Sequence, residues 1–259
     1  MPITLTAISD GALCQGYSWS IANQDVLAEQ IARVALGQAM HVERILASAR
    51  GRKPPLASKN MAKAAVRLLT VLGTDPSHRD GWMFQVMSWI AAHRASPGGL
   101  IRSPQMRVAD KGFDGLQLEL DVSEKKVSAV VIFEDKATTS PRPTIQARVW
   151  PEFRDLDAGK HDNVVVAEMV TLLATRPSID SDDAIQTVLW KKNRRFRISV
   201  TVKPFKSVSK GRKALFKGYK NVIAGNKVRR RGETFEIANL RPWMDGLAKK
   251  AITAVHTIV

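Results

Sequence analysis

Three residues in the middle of the chain have the types and spacing to act on a phosphodiester: Asp114, Glu134 and Lys136. The run from Lys111 to Asp121 alternates, with Leu116, Leu118 and Leu120 on one face, and reads as a strand. After the polar turn Val122 to Lys126, a nearly unbroken apolar run from Val127 to Phe133 reads as a strand buried on both sides. Glu134 and Lys136 follow it two apart, so both project to the same side. Antiparallel pairing of the two strands returns Asp114 to them. Paired carboxylates suit a hard cation such as Mg2+, with Mn2+ an alternative. Such a cation acidifies water and offsets charge on phosphoryl oxygens. A lysine alongside orients that water or stabilises developing negative charge. The plain alternative is a solvated Glu–Lys salt bridge at a strand end. The apolar strand ahead of the triplet and the Gly112-Phe-Asp-Gly115 opening favour the site.

These residues carry a resemblance. Gly112-Phe-Asp114, a hairpin and then Glu134-Asp135-Lys136 is similar to the core of the PD-(D/E)XK nuclease superfamily, with phenylalanine rather than proline before the aspartate. The match covers about a hundred residues. The resemblance implies that Asp114 and Glu134 are metal ligands, that the backbone carbonyl of Asp135 is a third, and that Lys136 is the catalytic lysine. Gly81-Trp-Met-Phe-Gln85 resembles the entry helix of such nucleases, which makes Gln85 a candidate for the site. Gln146, on the helix after the lysine strand, is a candidate by the same analogy for placing substrate or water. Each glutamine has an ordinary alternative: a hydrogen bond across a helix interface for Gln85, a surface position for Gln146.

Helices and strands must position this hairpin. Asn23 or Asp25 caps a helix in which Val26, Leu27, Ile31 and Val34 recur at helical spacing, and Ser58 caps a second. The first stretch, through Tyr17 and Trp19, shows no readable period. Gly81 to Arg94 is apolar nearly all round, as in a buried helix. Arg102 to Val108 fits a first core strand, and Thr144 caps a helix carrying Ile145, Val149, Trp150 and Phe153. Arg194 to Lys203 alternates as a strand, Gly211 to Ile223 reads as an amphipathic basic helix, Phe235 to Leu240 as a strand and Arg241 to Ile258 as a closing helix. The expected organisation is α/β: an N-terminal helical region over 1–76, a restriction-endonuclease-like core with a central mixed sheet over 77–176, and a basic α/β segment over 177–259 that packs on or completes it.

Charge singles out that last segment. No acidic residue falls between Asp183 and Glu233, whereas 16 of the 40 Lys and Arg fall between Lys191 and Arg231. The other 24 balance the 24 acidic residues, so the whole net charge of +16 arises here. A one-signed block attracts a polyanion, with affinity that falls as salt rises. Lys191, Lys192, Arg194, Arg195, Arg197, Arg229, Arg230 and Arg231 are the expected phosphate contacts. A solvated surface, or a face for an acidic protein or membrane, is the alternative.

Other chemistries lack their residues. The single cysteine, Cys14, rules out an intrachain disulfide framework or cysteine-based zinc site and fits a reducing cytoplasm. The N-terminus lacks the basic region of a signal peptide, and no apolar run reaches membrane-spanning length. Neither a Walker-type phosphate loop nor a dinucleotide glycine fingerprint is present. The five histidines form no metal-type motif. The sequence therefore points to a cytoplasmic, Mg2+-dependent endonuclease acting on nucleic acid, DNA foremost. By analogy it is the effector of a restriction or anti-phage system with an ATPase or helicase partner. The competing expectations are a nucleic-acid-binding or scaffold protein on a nuclease-like fold without catalysis, and a module whose basic face meets an acidic protein.

Overall fold

The computed structural model describes residues 1–48, 56–97, 99–104, 112–190, 193–206 and 208–259. Its centre is a curled, mixed sheet of seven strands in the order β1-β2-β7-β6-β5-β4-β3. The strands are β1 (Ile3–Ser9), β2 (Gln15–Ile21), β3 (Leu100–Ile101), β4 (Gly115–Leu120), β5 (Val127–Lys136), β6 (Arg194–Val202) and β7 (Arg230–Glu236). The neighbours β5, β6, β7 and β2 run parallel, and antiparallel hairpin partners flank them on both sides.

Helices cover both faces. On one lie α1 (Gln24–Ala35), α2 (Ala39–Leu46), α3 (Lys59–Leu68), α4 (Ser77–Ala95) and α11 (Leu240–Ile258). The crossover from β5 to β6 holds α5 (Pro141–Thr144), a π-helical turn (Ile145–Val149), α6 (Trp150–Asp157), α7 (Asp162–Leu173), α8 (Ser181–Ile185) and a second π turn (Gln186–Trp190). The crossover from β6 to β7 holds α9 (Val208–Leu215) and α10 (Tyr219–Val222). From α6 to α10 these helices pack on the second face. Burial on both sides explains why β5 is apolar at consecutive positions: Val131 and Phe133 join the first core, Val130 and Ile132 the second.

Local chemistry sets the element ends as the sequence indicates. The Asn23 side chain accepts from the amides of Asp25 and Val26, and the Ser58 hydroxyl from that of Met61. Asp121 accepts from the amides of Lys125 and Lys126 and closes the β4–β5 turn.

Several expectations are corrected. The N-terminal stretch is a strand hairpin that extends the sheet beside β7, so residues 1–76 are not wholly helical and the sheet draws strands from all three expected segments. Its pattern is weak because the hairpin is mostly half-buried or exposed, with Ile3 and Trp19 its buried side chains. The strand expected over 102–108 is Leu100–Ile101; residues 105–111 lie outside the described residues. The helix after β5 starts at Pro141, since proline suits a first turn, and Thr144 is inside it. The last strand ends at Glu236 rather than spanning Phe235 to Leu240. The basic helix expected over 211–223 is broken at Gly218, whose φ of +91° interrupts the helical path. Among the described residues no helix is long and apolar enough to cross a membrane.

Candidate active site

The β4–β5 register pairs Gly115 with Phe133, and the Asp114 amide donates to the Phe133 carbonyl at 3.0 Å. That register brings Asp114 to the C-terminal end of β5. Lys136 Nζ lies 2.7 Å from Asp114 Oδ2 and 2.6 Å from Glu134 Oε2, so one ammonium bridges two carboxylates. Asp114 Oδ2 also accepts from the Asp135 amide at 2.8 Å, and its Oδ1 from Gln85 Nε2 at 2.7 Å. Thus the hairpin supplies Asp114, Glu134 and Lys136, and α4, crossing the sheet, supplies Gln85. The structure brings these four together.

Asp135 is placed differently. Strand alternation turns its side chain to the opposite face, where Ser88 of α4 donates to its Oδ1 at 2.6 Å. Burial pushes its carboxyl up to about 7, against the pull of Arg197; the Asp114 charge adds to the rise, and the Ser88 and Ser199 hydroxyls oppose it. Only the Asp135 backbone faces the cluster. Gln146 is exposed on the π turn, without a hydrogen bond to these residues.

The helix after β5 instead contributes Glu152, which sequence reasoning missed. Its carboxyl lies near enough to Glu134 for each to act on the other's protonation. Burial first, then the Asp114 charge, pushes Glu134 well above the usual carboxylate range despite Lys136, and Glu152 adds to the rise. Burial likewise raises Glu152. Burial pulls Lys136 down, but the charges of Glu134 and Asp114 outweigh it and hold the amine above its ordinary value. A signal for Glu152 was available. It stands seven residues after the buried Ile145 and three after the buried Val149, an acid set in an apolar stripe.

The cluster has the donor set for a hard cation. Glu134 is only 1% exposed, and the Lys136 ion pair is off the hydrogen-bonding direction, so neither carboxylate oxygen has an aligned donor. Leaving a buried carboxylate so poorly satisfied is costly unless another positive group completes it. Oxygen ligands from Asp114 and Glu134 suit Mg2+ or Mn2+. Among the described residues no group of three acidic, histidine or cysteine side chains converges as a ready cage, and the Lys136 ammonium sits between the two carboxylates.

The expected phosphate contacts are occupied inside the fold. Arg194, Arg197 and Arg230 are buried. Arg194 bonds the Leu156 carbonyl and Asp162, Arg197 bonds Ser88 and pairs with Glu233, and Arg230 bonds the carbonyls of Ala12, Leu13, Ile223 and Gly225. Arg195 and Arg231 both grip Glu119, and Arg229 pairs with Asp157. Lys191 and Lys192 lie outside the described residues. The exposed cations of the segment are Lys203, Lys206, Lys210, Lys213, Lys217 and Lys220. Lys136 is in register with Val200, so Lys203 and Lys206 leave β6 at the end of the sheet that carries the cluster.

No protein-family model matches the chain, and no curated protein matches it.

Proposed function

We propose that this chain is a metal-dependent endonuclease, built on a restriction-endonuclease-like core, that hydrolyses phosphodiester bonds in DNA. One observation carries the reading: a buried, poorly satisfied Glu134, Asp114 and Lys136 meet at one strand end, beside exposed lysines. Asp114 and Glu134, with the Asp135 carbonyl, are the groups to hold Mg2+ or Mn2+. When bound, that ion supplies Lewis acidity and charge neutralisation at the scissile phosphate. Gln85 fixes the rotation of the Asp114 carboxylate through Oδ1. Lys136, kept protonated by its two partners, donates to water or to a phosphoryl oxygen. Glu152, half-buried beside Glu134, is the group to exchange a proton between the cluster and solvent. The lysines after β6 grip the backbone by charge alone, without base readout. Lacking a motor motif, the chain would act as the cutting subunit of a restriction or anti-phage assembly with an ATPase or helicase.

The test is cleavage of plasmid and single-stranded DNA with Mg2+, Mn2+ or EDTA. Wild type is expected to nick only with metal. Glu134→Gln and Lys136→Met should each lower the rate by at least about a hundredfold while DNA binding persists. Glu152→Gln should lower it less, by about tenfold to a hundredfold. Equal binding by all variants with no cutting under any metal would favour the non-catalytic binding protein.

A further inference from the structure

On the face opposite Glu134, the curl of the sheet leaves a cavity of about 450 Å3 between the β1–β2 hairpin, the C-terminal turn of α4 and a floor of β4, β6 and β7. The floor is polar and built from Gln117 and Glu119 of β4, Arg197 of β6, and Arg231 and Glu233 of β7. Strands 4.8 Å apart place Gln117 about 10 Å from β6 across the floor. Gln117 is 3% exposed, lines the cavity, and its side chain makes no hydrogen bond among the described residues. Arg197 is equally buried, and its Nε has no partner. The Gln117 amide is therefore open to the cavity, and Arg197 brings an unused donor to the same floor.

The charges have a direction. Glu119 is held by both Arg195 and Arg231, and Glu233 by Arg197 and by Trp19 Nε1 at 2.8 Å. Three guanidinium groups therefore face two carboxylates that are already engaged. Each guanidinium carries five N–H donors, and those named bonds use a minority of them. Excess donors ask for an acceptor-rich anion, for which a phosphate suits guanidinium geometry. Gln117, which offers both a donor and an acceptor, asks for a polar edge of the same kind. Between them Tyr17 and Ala92 supply apolar wall for a flat ring.

We propose that this cavity binds a nucleoside monophosphate, its phosphate on Arg197 and Arg231 and its base edge on the Gln117 amide. The ligand reports to the other face. Arg197 Nη2 donates to Ser88 Oγ at 2.9 Å, Ser88 Oγ to Asp135 Oδ1, and the Asp135 amide to Asp114 Oδ2. An occupant that draws on Arg197 pulls a relay that ends at the proposed cleavage cluster. The binding step is independent of the nuclease reading, and only this effect on cleavage rests on it.

Calorimetry on the full chain with AMP, GMP, CMP, UMP and inorganic phosphate tests the site. At least one nucleotide should bind, and more tightly than phosphate alone. Gln117→Leu should weaken it about tenfold while leaving melting temperature little changed, because the amide makes no hydrogen bond among the described residues. Arg231→Met, at a partly exposed position, should weaken phosphate and nucleotide alike. Glu134→Gln should bind as wild type, which separates this site from the cleavage chemistry. Displacement of the nucleotide by a 5′-phosphorylated oligonucleotide would identify a strand end as its source; no displacement would identify the free nucleotide. Binding of none of the four, or equal binding by Gln117→Leu, or phosphate as tight as nucleotide, overturns the proposal.

Discussion

The arginines and the lysines of the basic segment lie in different places and do different things. Arg194, Arg197, Arg212 and Arg230 are at most 4% exposed, whereas Lys203, Lys206, Lys210, Lys213, Lys217 and Lys220 are all exposed. The chemistry of the two side chains explains the division. A guanidinium cannot discharge on burial, but its planar fork can satisfy several carbonyls and carboxylates at once. Arg230 does this with four backbone carbonyls and no acid. Arg212 bonds Asp10 through Nε and Nη2, Thr234 through Nη1 and the Gly232 carbonyl through Nη2. A lysine keeps its compact, strongly hydrated charge in water. Acids from other segments, Asp10, Glu119, Asp157 and Asp162, and Glu233 of its own β7 neutralise arginines of this one. The outward field therefore comes from lysines, and the arginines knit α9, β6 and β7 to the rest of the chain.

The largest effect should come from breaking that knitting. Arg212 is fully buried and ties α9 to β7 and to the loop after β1. Arg212→Met leaves Asp10 buried without its cation, which should cost about 3–5 kcal/mol of unfolding free energy in a denaturant titration. Asp10→Asn in the Arg212→Met background should recover part of that, because the uncompensated charge is gone. A loss under about 1 kcal/mol for Arg212→Met would erase the distinction between the two cation sets.

This division also marks what the sequence could convey. Alternation in Arg194 to Val202 correctly divides the strand into an apolar face and a face of Arg195, Arg197, Ser199 and Thr201. Periodicity cannot say that the second face is covered by α4, since a helix about 100 residues earlier is invisible to a local pattern. The residues of the candidate site were legible for the opposite reason. Asp114, Glu134 and Lys136 sit on one hairpin, whose register follows from short-range alternation and a polar turn. Gln85 needed a helix packing, and Glu152 needed the phase of a helix that a π turn has shifted. Gln146 enters by family analogy alone, and nothing in that analogy singles out Glu152.

A buried base without an acid behaves as neither set of cations does, and this gives a second, smaller effect. His93 on α4 is 3% exposed and edge-on to Trp89 at 4.7 Å, and its Nε2 has no partner. Burial lowers its pKa from 6.5 to about 4. The folded state therefore holds the neutral ring while the unfolded chain takes up a proton below pH 6.5. Its contribution is fully present above pH 6.5 and falls by about 1.4 kcal/mol per pH unit as pH drops from there toward 4. Asp135, raised to about 7, has the opposite slope, losing stability as pH rises from about 4 to 7. Glu134 and Glu152, whose carboxyls are also raised, add to that slope, so wild type should lose stability as pH rises through this window and His93 should only soften the loss. His93→Leu should make the decline steeper, measured by urea unfolding at about pH 4.5, 5.5 and 6.5. Parallel curves for wild type and variant would mean that His93 is charged inside the fold.

The smallest effect on stability should come from the lysines, and there it is the contrast that matters. Lys203, Lys206, Lys210 and Lys213 have no carboxylate partner among the described residues, so replacing all four by glutamine removes no ion pair and exposes no apolar group. Unfolding free energy should shift by no more than about 0.5 kcal/mol per site. DNA affinity should fall, and the slope of log K against log salt should flatten by about 0.9 for each phosphate that those lysines no longer neutralise. Fluorescence anisotropy with a labelled duplex between about 50 and 200 mM salt reads both quantities. Arg195→Gln, which breaks a partly exposed pair with Glu119, should move stability by about 1 kcal/mol and the salt slope hardly at all. If the lysine variant keeps the wild-type slope while Arg195→Gln flattens it, the polyanion is held on the arginine face after all, and the cluster at the end of β5 is left without its grip on DNA.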